Sequence, residues 1–332
     1  MEIKHIAYPS IGQFDEVIRQ VRVNHDYKGK DENGDVIYLH DSPYPTIKFV
    51  GTEKLHGTNS NLTLWADGTK VYQSRERILS LTADNARFFA LNSIKNTDFL
   101  FDGIEFKEYI AVYGEWCGGS IKKGVGLNQL PNIFVIFRVK VDGQWIDKVY
   151  ENDAEQGIYD IRNFKKWEIN IDFNNPKMQQ NDIVDMTLTV EEASPFAIAL
   201  GAVPEKGLIG EGIVWESEDF KYKFKSKGLK HQGAGKTKAI NLVDTAVLET
   251  INEFVELAVP EWRLEQGISW LKENNKPVDK SSTADYLRWL FNDVLKEHQE
   301  TILKNNIDVK KISGPISNKG REYFFKEIYN QI

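Results

Sequence analysis

Cysteine occurs once in 332 residues, at Cys117. A single thiol excludes an intramolecular disulfide and any cysteine-based zinc site, and it suits a reducing cytoplasm. No apolar run approaches the roughly 20 residues a membrane span needs, and Met1-Glu2-Ile3-Lys4-His5 does not lead into a signal peptide. An excess of cations is missing too: 42 Lys+Arg stand against 49 Asp+Glu, a net charge of −7. That argues against a protein that coats nucleic acid indiscriminately, because such binding rests on neutralising phosphates. Internal repeats and low-complexity tracts are also lacking.

What is present is 41% hydrophobic and 27% charged, enough apolar material for a core in a chain whose length suits two domains. Basic charge is concentrated: from Lys221 to Lys238 there are seven lysines and no acidic residue. The first 230 or so residues read mostly as short β segments bounded by turn residues, among them Ile47–Gly51, Asn61–Trp65, Tyr109–Tyr113 and Ile133–Phe137. Residues Gly228–Lys238 read as a glycine-rich basic linker. Beyond it Ile240, Val243, Val247, Ile251, Phe254 and Ala258 recur at helical spacing until Pro260 stops the pattern. A second helix is expected from Ala284 to about Leu303, with Ser282 and Asp285 as a loose N-terminal cap, and a third after Ser317. The chain is therefore expected to be α+β, with domains at residues 1–233 and 234–332.

Chemistry concentrates first in Thr52-Glu53-Lys54-Leu55-His56-Gly57-Thr58-Asn59, where an apolar strand runs into a polar cluster. A lone lysine there would be a solvated strand end. A nucleophilic one needs help, since an amine with pKa near 10.4 is neutral in only about 0.04% of molecules at pH 7. Neighbouring cations or a bound metal would supply it by disfavouring the ammonium. Phe220-Lys221-Tyr222-Lys223-Phe224-Lys225-Ser226-Lys227 offers such cations. As a strand it puts aromatics on one face and four lysines on the other, about 6.6 Å apart along the face. The bland alternative is an edge strand guarded by lysines.

Glu211-Gly212-Ile213-Val214-Trp215 precedes that row, and a turn around Ser217–Asp219 would set Glu211 opposite Lys225 in a hairpin, as a cation ligand or a partner for Lys54. Tyr113-Gly114-Glu115-Trp116 ends another apolar strand with an acid among glycines. Ile133-Phe134-Val135-Ile136-Phe137 is an aromatic-bearing strand, and Ser74-Arg75-Glu76-Arg77 supplies two arginines on what reads as one strand face.

Across residues 47–227 these segments, in this order, resemble the phage-type RNA ligase 2 family, nick-sealing RNA ligases of the covalent nucleotidyltransferase superfamily. The Glu-Lys-x-His-Gly-Thr-Asn form carries the likeness most specifically. The resemblance implies a nucleotidyltransferase domain of two antiparallel sheets with flanking helices, followed by a small all-helical C-terminal domain. It implies ATP, Mg²⁺ or Mn²⁺, and an RNA substrate with 5′-phosphate and 3′-hydroxyl ends, in a nicked duplex. Lys54 would attack the α-phosphorus and carry AMP. Lys223 and Lys225 would grip phosphates, and Glu211 would bind the metal. Glu53, His56, Asn59, Arg75, Glu115 and Phe137 would contact the nucleotide, with Glu115 on the ribose and Phe137 stacked on adenine. The motif arginine is Arg75 or Arg77. The resemblance points to no membrane and no obligate protein partner, and to the host cytoplasm if the protein is phage-encoded.

The chain departs from the pattern in two places. Asp commonly follows the stacking aromatic, where Arg138 stands, and a base commonly comes shortly after Glu-Gly-x-Val, where Glu216 and Glu218 follow instead. The rival readings are a DNA ligase, usually with Asp at the place of His56, a GTP-using capping enzyme, and a nucleotide- or RNA-binding module without catalysis.

Overall fold

A computed structural model describes residues 3–121, 124–228, 230, 245–274, 276–299, 302 and 307–330. The chain divides into two compact units. The first comprises Met1–Arg19, Thr46–Asp172 and Gln179–Asn241, and the second Gln20–Pro45, Phe173–Met178 and Leu242–Ile332.

In chain order, helix α1 (Phe14–Asp26) leads into the hairpin strands β1 (Tyr27–Lys30) and β2 (Val36–Tyr38). Then come β3 (Thr46–Lys54), β4 (Thr58–Trp65), β5 (Lys70–Ser74) and the short helix α2 (Phe88–Asn92). Strands β6 (Tyr109–Cys117), β7 (Ile133–Val141), β8 (Gln144–Ile146), β9 (Ile158–Asp160) and β10 (Lys166–Asp172) follow. Helices α3 (Gln180–Glu192) and α4 (Pro195–Ala199) precede the hairpin of β11 (Gly212–Ser217) and β12 (Lys223–Lys227).

The first unit is built on two sheets. One is four-stranded and antiparallel, in the order β10-β3-β11-β12; the other runs β5-β4-β6-β7-β8, with β9 added in parallel to β7. The four segments read as strands from composition lie within β3, β4, β6 and β7. Their two-residue period sorts the side chains. Val112, Trp116, Phe134 and Ile136 enter one apolar cluster with Phe88 and Leu100, while Cys117, Ile133 and Val135 join Leu55 and Phe196 in another. Helix α3 buries Ile183, Val184, Thr187 and Val190, and its Thr187 hydroxyl donates to Ser226 Oγ on β12 at 2.6 Å. The chain passes from the first sheet to the second at Leu55-His56-Gly57, between β3 and β4.

The second unit holds α5 (Thr245–Ala258), α6 (Glu261–Glu273), α7 (Thr283–Glu297) and a last helix, Val309–Asn330, packed around Phe254, Leu271, Tyr286, Leu290, Ile312 and Phe324. It also contains the exposed β1–β2 ribbon from the N-terminal part of the chain, while the regular elements among the described residues after 244 are all helical, as expected. Most of the expected linker and the helical positions Ile240 and Val243 lie outside the described residues. Pro260, expected only as a stop, is also the N-cap of α6, because proline is tolerated where a helix begins. The third helix starts at Val309 rather than after Ser317 and runs through Pro315. Ile312 and Ile316 are fully buried on either side of that proline, and their burial outweighs one lost backbone hydrogen bond. Ser282 stands at the N-cap of α7 without a side-chain cap bond, and Asp285 pairs with Lys276 instead.

Candidate active site

A cavity of about 900 Å³ lies between the two sheets of the first unit. Strand register explains why Lys54 and Glu211 meet in it. Gly212 of β11 pairs with Lys54 of β3, so the residue before Gly212 sits at the mouth of that strand pair. Lys54 Nζ donates to Glu211 Oε2 at 2.8 Å, and His56 Nδ1 lies 3.0 Å from the same oxygen. Lys227 Nζ is 2.6 Å from Glu211 Oε1. Burial would raise the Glu211 carboxyl, but the His56 hydrogen bond and the Lys54 and Lys227 ammonium groups outweigh it and hold the pKa well below the carboxylate range. Glu211 is therefore an ionised carboxylate in a nearly buried position.

Across β4 and β6, Asn59 pairs with Glu115. Glu115 Oε1 accepts from Gly57 N at 3.0 Å, and burial, opposed by the Lys54 charge, pushes its pKa up to about 7. Gly57 admits no side chain: a Cβ there would lie 2.4 Å from Trp116 O and 2.8 Å from Cys117 Cβ. Asn59 Oδ1 is buried without a hydrogen-bond partner, as an atom awaiting a ligand would be. Phe137 faces the cavity from β7 and meets the Tyr8 ring edge-on at 4.9 Å.

The lysine row holds for three of its four members. Lys223, Lys225 and Lys227 alternate with the buried Phe224 and Ser226 and line the cavity, whereas Lys221 sits in the turn and pairs with Asp219. The hairpin register differs from the expected one. Glu216 pairs with Lys223 and Gly212 with Lys227, so Glu211 stands beyond Lys227 rather than opposite Lys225. The reason is a longer loop: Ser217 N donates to Tyr222 O, Tyr222 N to Ser217 Oγ, and Phe220 takes a left-handed φ of 60°. Lys225 makes no ion pair among the described residues. Burial and then the charges of Lys227, Lys54 and Arg75 lower its pKa, and the Glu211 charge offsets only part of that.

Glu53 borders the cavity, yet its carboxylate accepts from Ser194 Oγ at 2.5 Å and Phe196 N at 2.9 Å, at the start of α4. Burial raises its pKa to about 7 against those two bonds. Arg75 lines the cavity and donates to Ser10 Oγ at 2.9 Å; Arg77 does not line it and donates to Asp84 O. Both follow β5 in a bend rather than sharing a strand face. The two departures from the family pattern touch each other. Arg138, 2% exposed, places Nη2 2.5 Å from Glu216 Oε1, and the same oxygen is 2.9 Å from Lys223 Nζ.

Sequence reasoning missed the N-terminal strap. Ile6 N donates to Gln73 Oε1, Tyr113 OH to Ile6 O, and Lys225 N to Gly12 O, so residues 6–12 bond to both sheets. Tyr8, Pro9, Ser10 and Ile11 line the cavity, and the Tyr8 hydroxyl accepts from Lys223 Nζ. No period or motif marks these residues.

Residues 47–230 match the family described as RNA ligase. The chain belongs to that family. Solved structures of a Naegleria gruberi RNA ligase resemble this member of the RNA ligase family in part. The form with PPi is 17% identical with a TM-score of 0.43, over 68% of this chain and 57% of that one. A lysine-to-methionine mutant with AMP and Mn gives 17% and 0.44, and an arginine-to-alanine mutant with ATP and Mn gives 18% and 0.43, each over the same shares. The chain thus spans little more than half the length of those proteins. No curated protein matches it. No helix among the described residues is long and apolar enough to cross a membrane.

Proposed function

We propose that this chain is an ATP-dependent RNA ligase of the nick-sealing, phage-type kind, and that residues 1–233 are its adenylyltransferase domain and 234–332 its C-terminal domain. The observation that carries the reading is the convergence of Lys54, Lys223, Lys225 and Lys227 on one cavity together with the ionised Glu211. Three further lysines beside Lys54, on the wall of one cavity, suit the charge of a polyphosphate.

In the first step Lys54 Nζ, having lost a proton, bonds to the α-phosphorus of ATP, and the bond to the pyrophosphate oxygen breaks. In the second, an oxygen of the RNA 5′-phosphate attacks that phosphorus and the Lys54 N–P bond breaks, giving a 5′-5′ pyrophosphate end. In the third, the RNA 3′-hydroxyl loses its proton, its oxygen bonds to the 5′-phosphorus, and AMP leaves. Each step is a phosphoryl transfer, so catalysis comes from positioning and charge. Lys223 and Lys225 grip phosphate oxygens, Glu115 takes the ribose, and Phe137 flanks the base. His56, Asn59 and Arg75 complete the nucleotide contacts, and the Glu53 peptide borders them.

The family implies Mg²⁺ or Mn²⁺, and the residues present fit one: Glu211 is ionised, and the orphaned Asn59 Oδ1 adds a second oxygen donor, as hard cations require. When bound, such an ion neutralises charge on the triphosphate. End-joining with nicked duplex RNA, single strands, RNA–DNA hybrids and nicked DNA tests the reading. Sealing of the RNA nick ahead of the others is expected. Sealing of DNA alone, or adenylation replaced by guanylylation, contradicts it.

A further inference from the structure

Away from the cavity, the second unit holds a cluster that the ligase chemistry does not use. His25 and Asp26 are the last two residues of α1, and His40 follows β2. His25 Nδ1 and His40 Nδ1 each lie 3.0 Å from the same atom, Asp26 Oδ1. The three donor atoms all lie within 4.8 Å of one another, and their side chains are about four-fifths buried.

Two imidazole nitrogens and a carboxylate oxygen are the donor set of zinc sites. At Zn–N and Zn–O distances of about 2.0–2.2 Å, the edges of a tetrahedron are roughly 3.4 Å long. The two edges that meet at Asp26 Oδ1, 3.0 Å each, come within a few tenths of that value before any ion draws the atoms into place, and the third is no longer than 4.8 Å. The atoms behind the donors are also held. His25 Nε2 lies 3.3 Å from Ser42 Oγ, a partner for the proton that Nε2 carries once Nδ1 binds an ion. Tyr44 OH donates to Asp26 Oδ2 at 3.1 Å, turning Oδ1 toward the imidazoles, and the Tyr44 ring covers His40 at 4.4 Å. Such outer partners orient metal ligands and fix their tautomers. A cavity of about 400 Å³ opens on Asp26 and His40, so an ion has an entry path and a free position for water.

The location supplies a reason for an ion. Strands β1 and β2 form an isolated two-stranded ribbon whose residues are exposed or half-exposed, and such a ribbon is marginal on its own. His25, Asp26 and His40 stand at its base, where Leu39 N donates to Asp26 O at 2.7 Å. We propose that His25, Asp26 and His40 bind a divalent transition ion, Zn²⁺ by donor type, which staples the base of the ribbon. In the metal-bound form both imidazoles are neutral, with the proton on Nε2, and the free energy of binding becomes stability of the ribbon.

The full chain, stripped with a chelator and passed through a desalting column after Zn²⁺ loading in excess Mg²⁺, should retain one zinc per molecule. Co²⁺ loaded in its place should show the intense visible bands of a tetrahedral site. Lys54→Ala and His56→Ala should keep the zinc, since neither belongs to the cluster, while His40→Ala and Asp26→Asn should lose it. Ser42→Ala, which removes no ligand, should weaken Zn²⁺ binding by about 10-fold or more. Zinc should also slow tryptic cleavage at Lys28 and Lys30 in the ribbon. A wild-type chain that emerges metal-free, without cobalt bands, overturns the proposal and leaves only a hydrogen-bonded knot. Zinc lost in His56→Ala but kept in His40→Ala also overturns it, because the ion would then sit in the nucleotide cavity.

Discussion

Replacing Arg138 by Asp should destabilise the first unit, and a second change of Glu216 to Arg should restore much of the loss. Arg138 is 2% exposed and Glu216 22% exposed, and their charged atoms are 2.5 Å apart. The guanidinium also lies 3.9 Å from the centroid of the Phe220 ring. Removing one partner of a buried pair costs about 3–5 kcal/mol. The low end, about 3 kcal/mol, applies here because Glu216 keeps some solvent and keeps Lys223 at 2.9 Å. Swapping both residues remakes the pair with its charges reversed. Contacting residues couple by 0.5–3 kcal/mol, so the double variant should recover about 2 kcal/mol relative to the sum of the singles. Urea unfolding of Arg138→Asp, Glu216→Arg and the double variant measures this coupling. If the double variant lost the sum of the two single losses, the exchanged ion pair would carry no energy and the reasoning would fail.

Lys223→Ala and Lys225→Ala should each slow adenylation by about 100-fold, as loss of a charge-assisted phosphate contact does; Lys221→Ala, whose ammonium pairs with Asp219 in the turn, should stay near wild type in the same labelling assay. Gly57→Ala should cost at least about 2 kcal/mol in thermal or urea unfolding, because its Cβ meets the Trp116 carbonyl oxygen, which the β4–β6 ladder holds in place. Glu53 should give stability a pH dependence. Its folded pKa of about 7 lies above its unfolded value, so the folded chain keeps a proton the unfolded chain has released. Stability therefore falls as pH rises from about 4.5 to about 7 and then levels. Glu53→Gln should lessen that slope, Glu115 supplying a second share of it, so the difference between variant and wild-type stability should change as pH rises to about 7 in unfolding curves; parallel curves would contradict the assignment.

The elements legible in the sequence were those with a local cause. Strands β3, β4, β6 and β7 announce themselves because each is a short β-branched or aromatic run ended by turn residues. The Lys54 and Glu211 segments were readable because motif chemistry needs those residue types in a fixed order. Register was not readable in the same way. The β11–β12 hairpin turns through Ser217–Tyr222, and its four-residue loop depends on Ser217 bonding to Tyr222 and on Phe220 accepting a left-handed backbone. A slip in the assumed loop moved every cross-strand partner, setting Lys227 rather than Lys225 beside Glu211.

Non-local pairings were hidden for a related reason. Arg138 and Glu216 each look like a defect alone and make sense only in contact. The Tyr8 strap has no period at all, and its place is set by bonds to residues 55 to 215 positions away in the chain. Pro260 misled because proline marks both starts and stops, and the last helix begins ahead of the expected Ser317 because buried isoleucines hold it across Pro315. The His25–Asp26–His40 cluster is spread over 16 residues and joins only when the β1–β2 ribbon folds back.

The account rests on Lys54 as the residue that carries the nucleotide. Incubating the full chain with ATP and Mg²⁺, stopping with denaturant and mapping the modified peptide by mass spectrometry tests that most directly. One AMP joined through an acid-labile phosphoramidate to Lys54, and none in Lys54→Ala, is the expected result. No adduct on the wild-type protein, or an adduct on another residue, contradicts it.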